Sequence, residues 1–210
     1  PLNRGNSRLV FEHPDNSSHI VKVLRPDLLE TRYGNGAPLR KRYRRYGRFR
    51  SYLREIQEYI AVYAAHNHAP SFLQKIIGLV ETDLGLGLVT NAARDKDGSL
   101  APNVATLISV GRFDSTVRRD LESFYQNILS CDVVISDMNV GNMVYAFDET
   151  HGYHFVLIDG LGNANMLPLK TLSRKINRRS KRKRYERLYK RITTRLQDAG
   201  YPMPPLTSEL

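Results

Sequence analysis

The chain has 210 residues, 41% of them hydrophobic and 25% charged, enough apolar material for a packed core and a composition that excludes wholesale disorder. No apolar run approaches the ~20 residues of a membrane span, no signal-peptide pattern is visible, and a lone Cys131 fits a reducing, cytoplasmic setting. The formal net charge of +11 attracts nucleic acid, anionic membranes, phosphates or acidic partners, and by itself chooses none of them.

In chain order, residues 7–13 and 18–24 read as strands around a Pro14-Asp15-Asn16 turn; His19-Ile20-Val21-Lys22-Val23-Leu24 is β-branched and alternates around its lysine. Residues 25–47 form a Gly/Pro/Arg-rich connection. A helix is expected over 48–66, with Phe49, Leu53, Ile56, Ile60 and Tyr63 as its apolar stripe. Ile76–Val80 and Leu86–Val89 read as a hairpin through Asp83-Leu84-Gly85. Asn91–Pro102 is polar and turn-rich, a linker between lobes. Helices are expected over 103–112 and 115–130, the second capped by Ser115 or Thr116. Val133–Ile135 leads into the Asp137–Asn142 loop, and Met143–Phe147 with His154–Ile158 makes a hairpin turning through 148–152. From Pro168 onward the chain reads as helical, with Leu172, Ile176, Tyr185, Leu188, Ile192 and Leu196 as its apolar stripe.

The charge is unevenly spread. Residues 32–54 carry nine Lys/Arg and no acid, and residues 170–195 carry thirteen against Glu186 alone, so two basic segments are attached to an acidic remainder. The element order is strands, helix, strands, linker, helices, hairpin and basic helices. It predicts an α+β protein of two lobes: an N-lobe over 1–91 with a small antiparallel sheet and a helix, and a helical C-lobe over 92–210.

Chemistry concentrates in one constellation. Asp137-Met-Asn-Val-Gly-Asn142 places an Asp five residues before an Asn, and Ile158-Asp159-Gly160 follows on the far side of a hairpin. That pattern supplies one base and two oxygen ligands for a metal bridging nucleotide phosphates, which is what phosphoryl transfer requires. Asp137 would position the acceptor hydroxyl, while Asn142 and Asp159 would hold Mg²⁺. Lys22, costly at the centre of an apolar strand without a partner, would be anchored by Glu55 (Glu58 being the other carboxylate on that helix) and would grip the α- and β-phosphates of ATP. Against the phosphate-loop pattern G-x-G-x-x-G-x-V the chain sets Asn3, Gly5, Arg8 and Val10, keeping one glycine of three. Arg8 could touch a phosphate directly, and Asn91, Ala92 and Ala93 would form the hinge that meets adenine. His66-Asn67-His68 lacks a third ligand nearby and reads as solvated.

On His13-Pro14, Ile20-Val21-Lys22-Val23, Arg54-Glu55, Gly78 to Gly87, Asn142-Met143 and Leu167-Pro168-Leu169, the chain resembles the PhoP regulatory network protein YrbL family over most of its length. The resemblance implies a compact, two-lobed, protein-kinase-like fold in a bacterial setting. The wider kinase pattern assigns the nucleotide lysine, helix glutamate, catalytic Asp and metal ligands to Lys22, Glu55, Asp137, Asn142 and Asp159. The chain departs from that pattern where Ile135-Ser136 precede the catalytic Asp, where Gly160 follows Asp159 directly, and where no Ala-Pro-Glu motif appears. The 51 residues after Asp159 are too few for a peptide-docking helical base, so the C-lobe is a reduced one.

The expectation is therefore an ATP- and Mg²⁺-dependent kinase acting on a protein or small-molecule hydroxyl. An acidic partner or substrate would be recruited by the basic patches 40–50 and 174–195. Two alternatives stand beside it: a pseudokinase that binds nucleotide and docks a partner, and a basic module for nucleic acid or anionic membrane. No nucleic-acid motif is recognisable, so nucleic acid is not the expected ligand.

Overall fold

The computed structural model describes residues 1–5, 7–34, 36–39, 45–163 and 173–205. It divides into two compact units, Pro1–Ile56 with Lys75–Ala92, and Gln57–Gln74 with Ala93–Leu210.

The first unit is an antiparallel sheet of β1 (Asn3–Arg4), β2 (Arg8–His13), β3 (Asn16–Leu24), β4 (Ile76–Thr82) and β5 (Gly85–Asn91) in the order β1-β2-β3-β5-β4. Residues alternate between the faces of a strand, and here the alternation sorts the core. Val21, Val23 and Val89 pack together with Phe11 and Val80. Leu24 and Leu88 pack with Tyr52, Phe49 and Ile56. Lys22 is two residues from Leu24 and opposite Leu88 in the register, so it shares their face of the sheet. The Gly/Pro/Arg-rich connection contains a helix the composition did not suggest, α1 (Pro26–Tyr33), started by Pro26 at its first position with Asp27 in its first turn.

Helix α2 (Arg50–His66) crosses the division between the units. Its buried face differs from the expected stripe. Tyr52, Glu55, Glu58 and Val62 are buried, whereas Ile60 and Tyr63 are more than half exposed. The apolar spacing pointed one way round the helix, but two carboxylates with buried partners occupy the inner face.

The second unit holds α3 (Val104–Ser109), α4 (Ser115–Ser130), the hairpin β6 (Met143–Asp148) and β7 (Gly152–Leu157), and α5 (Arg174–Asp198). Its core joins Leu107, Leu121, Ile128, Met143, Leu157, Leu188 and Ile192, all nearly inaccessible. Helix α3 is shorter than expected: Asn103 caps it, accepting from Thr106 N at 2.9 Å, and Gly111 turns the chain away with φ +70°. Helix α4 is capped by Asp114, which accepts from Val117 N at 2.9 Å, and not by Ser115 or Thr116, which lie inside the first turn. A carboxylate is a good acceptor for a free first-turn N–H and also meets the positive end of the helix dipole.

The polar stretch after Asn91 is more ordered than a linker: Arg94 bridges Leu100, and Asp95 N donates to Ser99 O at 2.9 Å. Helix α5 begins at Arg174, after Ser173 as its cap. Leu172 and the earlier part of the expected helix lie outside the described residues. Ile176, expected in the apolar stripe, is 46% exposed, and Asn177 and Lys181 are buried instead.

Candidate functional site

Each unit carries part of the predicted constellation. In the first, β1 and β2 make a hairpin whose turn begins at Gly5, with Gly5 N donating to Arg8 O at 2.9 Å. Val10 pairs with Lys22 across β2 and β3, and Arg8 pairs with Leu24, so Arg8, Val10 and Lys22 share one face. Lys22 is 5% exposed.

Arg8 does not project into solvent. Its fork grips Glu55, with Nη1 donating to Oε2 at 3.0 Å and Nη2 donating to Oε1. Both residues are about 5% exposed, and a bidentate guanidinium–carboxylate pair is the arrangement that best tolerates such burial. Tyr52 completes the cluster: its hydroxyl donates to Lys22 O at 2.7 Å, and the Arg8 guanidinium lies 5.0 Å from its ring centre. Burial pushes the Tyr52 phenol up to about 12. Asn91 N donates to Lys75 O and Ala92 N to Ser18 O, so the N–H groups of the first two hinge residues are spoken for within their unit. The unit also contains a cavity of about 630 Å³ lined by Tyr46, Arg48, Phe49, Leu79 and Leu86, none of them a predicted site residue.

In the second unit, the structure brings Asp137, Asn142 and Asp159 onto adjoining segments. Ser136 N and Asp137 N both donate to Gly160 O, at 2.7 and 3.2 Å, and Ile158 N donates to Asn142 O at 2.9 Å. The loop is wound locally by Asn139, whose Oδ1 accepts from Gly141 N at 2.8 Å and from Asn142 N at 3.2 Å. This is an Asx-type turn, which Asn and Asp can both form. The Nδ2 of Asn139 then donates to Asp137 Oδ2 at 2.7 Å, and Asn142 Nδ2 donates to Asp137 O and Oδ2, both at 3.3 Å. Asp137 is thereby held through one carboxylate oxygen.

Gly160 has φ +87°, and a Cβ there would press into the Asp137 backbone. That close approach explains why a glycine must follow Asp159 directly. Asp159 Oδ1 accepts from Gly160 N at 2.6 Å, which fixes its carboxylate at the end of the hairpin. Because the amide nitrogen of Asn142 is turned to Asp137, its oxygen is directed away from it. Amide and carboxylate oxygens are hard donors of the kind Mg²⁺ takes from proteins. Among the described residues no group of three His, Cys, Asp or Glu could hold a metal.

The approach to this loop is clamped by Glu58, the second carboxylate of α2, and by Asn177 and Lys181, to which no role was assigned from the sequence. Glu58 accepts from Val134 N at 2.6 Å, and burial raises the pKa of its carboxyl. Asn177 Nδ2 donates to Asp132 O at 2.9 Å and Val133 O at 3.1 Å, and Lys181 Nζ donates to Ile128 O at 2.8 Å and to Cys131 O. Burial draws the Lys181 ammonium down to about 8. Arg184, one turn further on, lies within electrostatic reach of Asp137. The stripe Leu188, Ile192, Leu196 extended backward in helical steps reaches Arg184, Lys181 and Asn177, so their inward position was available as a signal. His66 Nε2 lies 3.6 Å from Cys131 Sγ.

The described residues contain no helix long and apolar enough to cross a membrane. No curated protein matches the chain. The model of the family described as PhoP regulatory network protein YrbL matches residues 1–193. The chain belongs to that family.

Proposed function

We propose that this member of the PhoP regulatory network protein YrbL family is a small kinase-like phosphotransferase that moves the γ-phosphate of ATP to a hydroxyl acceptor. The observation that carries the reading is the assembly of Asp137, Asn142 and Asp159 around the Gly160 contact. Sequence-adjacent Asp and Asn residues are common in turns. A hairpin end that returns a second carboxylate to the same loop is not required by any turn.

Bound Mg-ATP would supply the electrophilic phosphorus and the neutralising charge. Asn142 and Asp159 would hold the metal. Asp137, restrained by Asn139 and Asn142, would orient the acceptor hydroxyl for in-line attack and accept its proton. Lys22, on a face with Arg8 and Val10, would meet the α- and β-phosphates, and the Gly5 hairpin would cover them. The Arg8–Glu55 pair gives α2 a fixed purchase on β2, so in this reading Arg8 shapes the pocket rather than touching phosphate. The basic surfaces at 40–50 and 174–195 would recruit an acidic substrate or partner; residues 40–44 of the first lie outside the described residues.

The test is a thermal-shift titration with Mg-ATP on the intact chain and on Asp159→Ala. Ligand at ~100 times its Kd adds about 2.7 kcal/mol of stability, well within detection. Metal-dependent stabilisation in the wild type and its loss in Asp159→Ala supports the reading, and no shift at millimolar ATP overturns it. The engagement of Arg8 by Glu55, with one glycine in the phosphate loop, favours a second reading in which nucleotide binds without transfer. A normal Mg-ATP shift with no γ-phosphate consumption across hydroxyl acceptors would select it.

A further inference from the structure

We propose that the cavity of the first unit binds an aliphatic carboxylate, a free fatty acid, with Arg45 and Arg48 holding its headgroup. The inference does not depend on the phosphotransferase reading.

The cavity exists because α2 covers only part of the sheet face. Leu86 lies two residues from Leu88 on β5, and Leu79 pairs with Leu88 from β4, so the three share the face that carries Leu24. Tyr52 packs over Leu88, which is inaccessible, whereas Leu79 at the edge strand remains 48% exposed. Phe49, Leu53 and Ile56 line the cavity from one side, and Leu29 and Tyr33 of α1 line it too, all of them only half-buried. Its volume of about 630 Å³ is that of a small-molecule site. The described lining lies wholly within the first unit. An apolar lining left half-covered favours a ligand that brings apolar surface of its own.

The charge of the lining fixes the other end of that ligand. Among the described lining residues there are two arginines, Arg45 and Arg48, and no carboxylate. Both arginines are exposed, and each lies over a neighbouring ring: Arg45 is 5.4 Å from the centre of Tyr46, and Arg48 is 5.7 Å from that of Phe49. Guanidiniums placed in this way are forks suited to a carboxylate. The same contacts disfavour an aromatic ligand, because the rings of Tyr46, Phe49 and Tyr52 each carry a guanidinium already, that of Arg8 in the case of Tyr52. The Tyr52 hydroxyl is committed to Lys22 O, so this side chain offers the cavity ring carbon and no donor. An aliphatic pocket with a cationic edge complements an alkyl chain that ends in a carboxylate.

Isothermal titration with sodium dodecanoate below its micelle concentration, without nucleotide or metal, tests the site. The wild type should bind it, and should bind octanoate about tenfold or more weakly for the lost methylenes. Dodecyltrimethylammonium, with the same chain and the opposite charge, should not bind. Arg45→Gln and Arg48→Gln should each weaken binding about fivefold, the size of one exposed ion pair. Lys75→Gln, exposed in the same unit but outside the cavity, and Lys175→Gln in the other unit should leave binding unchanged. Leu79→Trp reads the location directly, since it puts the chain's first Trp in the cavity. Dodecanoate should move its emission to shorter wavelength, or the larger ring should fill the cavity and abolish the calorimetric signal. Binding to Leu79→Trp with no spectral change overturns the site. So do an absence of wild-type binding, equal binding of the ammonium, unchanged binding in both arginine variants, or an equal loss from Lys75→Gln. Binding of phosphatidylglycerol vesicles without binding of monomeric dodecanoate would overturn the free acid as the ligand. Because the assay contains no Mg-ATP, it can succeed or fail independently of the nucleotide shift.

Discussion

Replacing Gly160 by Ala probes the contact on which the candidate site depends. Two costs are separable. The φ of +87° is left-handed backbone that a Cβ disfavours by about 1–2 kcal/mol. The added Cβ would also stand 3.0 Å from the Asp137 carbonyl carbon and 3.2 Å from its Cβ, closer still to the carbonyl oxygen, so the Asp137 backbone must retreat. Retreat stretches the bonds from Ser136 N and Asp137 N to Gly160 O, and the bond from Asn142 Nδ2 to Asp137 O. At about 1 kcal/mol for each of two or three neutral hydrogen bonds, the total is roughly 3–5 kcal/mol. In a chain of this size that corresponds to a Tm lower by about 6–20 °C.

Gly98→Ala and Gly152→Ala serve as references, since both have positive φ and nothing within 4 Å of the added Cβ. They should cost only the backbone part. Urea melts of the three variants give the comparison, and the Mg-ATP shift shows whether the displaced Asp137 loop still organises the site. If Gly160→Ala is no more destabilising than Gly98→Ala, the proposed packing of the hairpin end on Asp137 is wrong.

Three further outcomes follow from two buried charges and one part-buried hydrogen bond. Arg8→Met strips Glu55 of its two-pronged donor and should cost about 3–5 kcal/mol, while the double variant Arg8→Met/Glu55→Leu should recover most of it; an urea midpoint for the single variant within 1 kcal/mol of wild type would contradict the pairing. Lys181 titrates near 8 in the folded chain because burial opposes its charge, against 10.5 when unfolded. Between those values the unfolded chain binds more protons, so wild-type stability should rise with pH, by at most about 1.4 kcal/mol per unit. Lys181→Met lacks that rise, and a wild-type-minus-variant difference that stays flat from pH 7.5 to 9.5 counts against the buried ammonium. Tyr145→Phe removes the hydroxyl that donates to Asp120 and should cost about 1.5–3 kcal/mol in the same melts; a change below 0.5 kcal/mol would show that bond to be idle.

The parts of this protein legible in its sequence are those encoded over a few residues. Strand β3 could be read because alternation around Lys22 has a period of two, and that period is a property of the strand alone. The Asp137–Asn142 loop could be read because Asn139 and Gly141 wind it through local hydrogen bonds. What could not be read depends on groups far along the chain. The inner face of α2 was misplaced because Glu55 finds Arg8 at a separation of 47 residues and Glu58 finds Val134 at 76. No local pattern marks a carboxylate as buried. For Asn177 and Lys181 the helical spacing marked the inward position but not the partners, which are backbone carbonyls 44 to 53 residues earlier. The sequence by itself determined the element order, the charge distribution and the residues capable of chemistry. Only the tertiary structure decided which of them meet, because a buried polar group is stable only where folding delivers its partner.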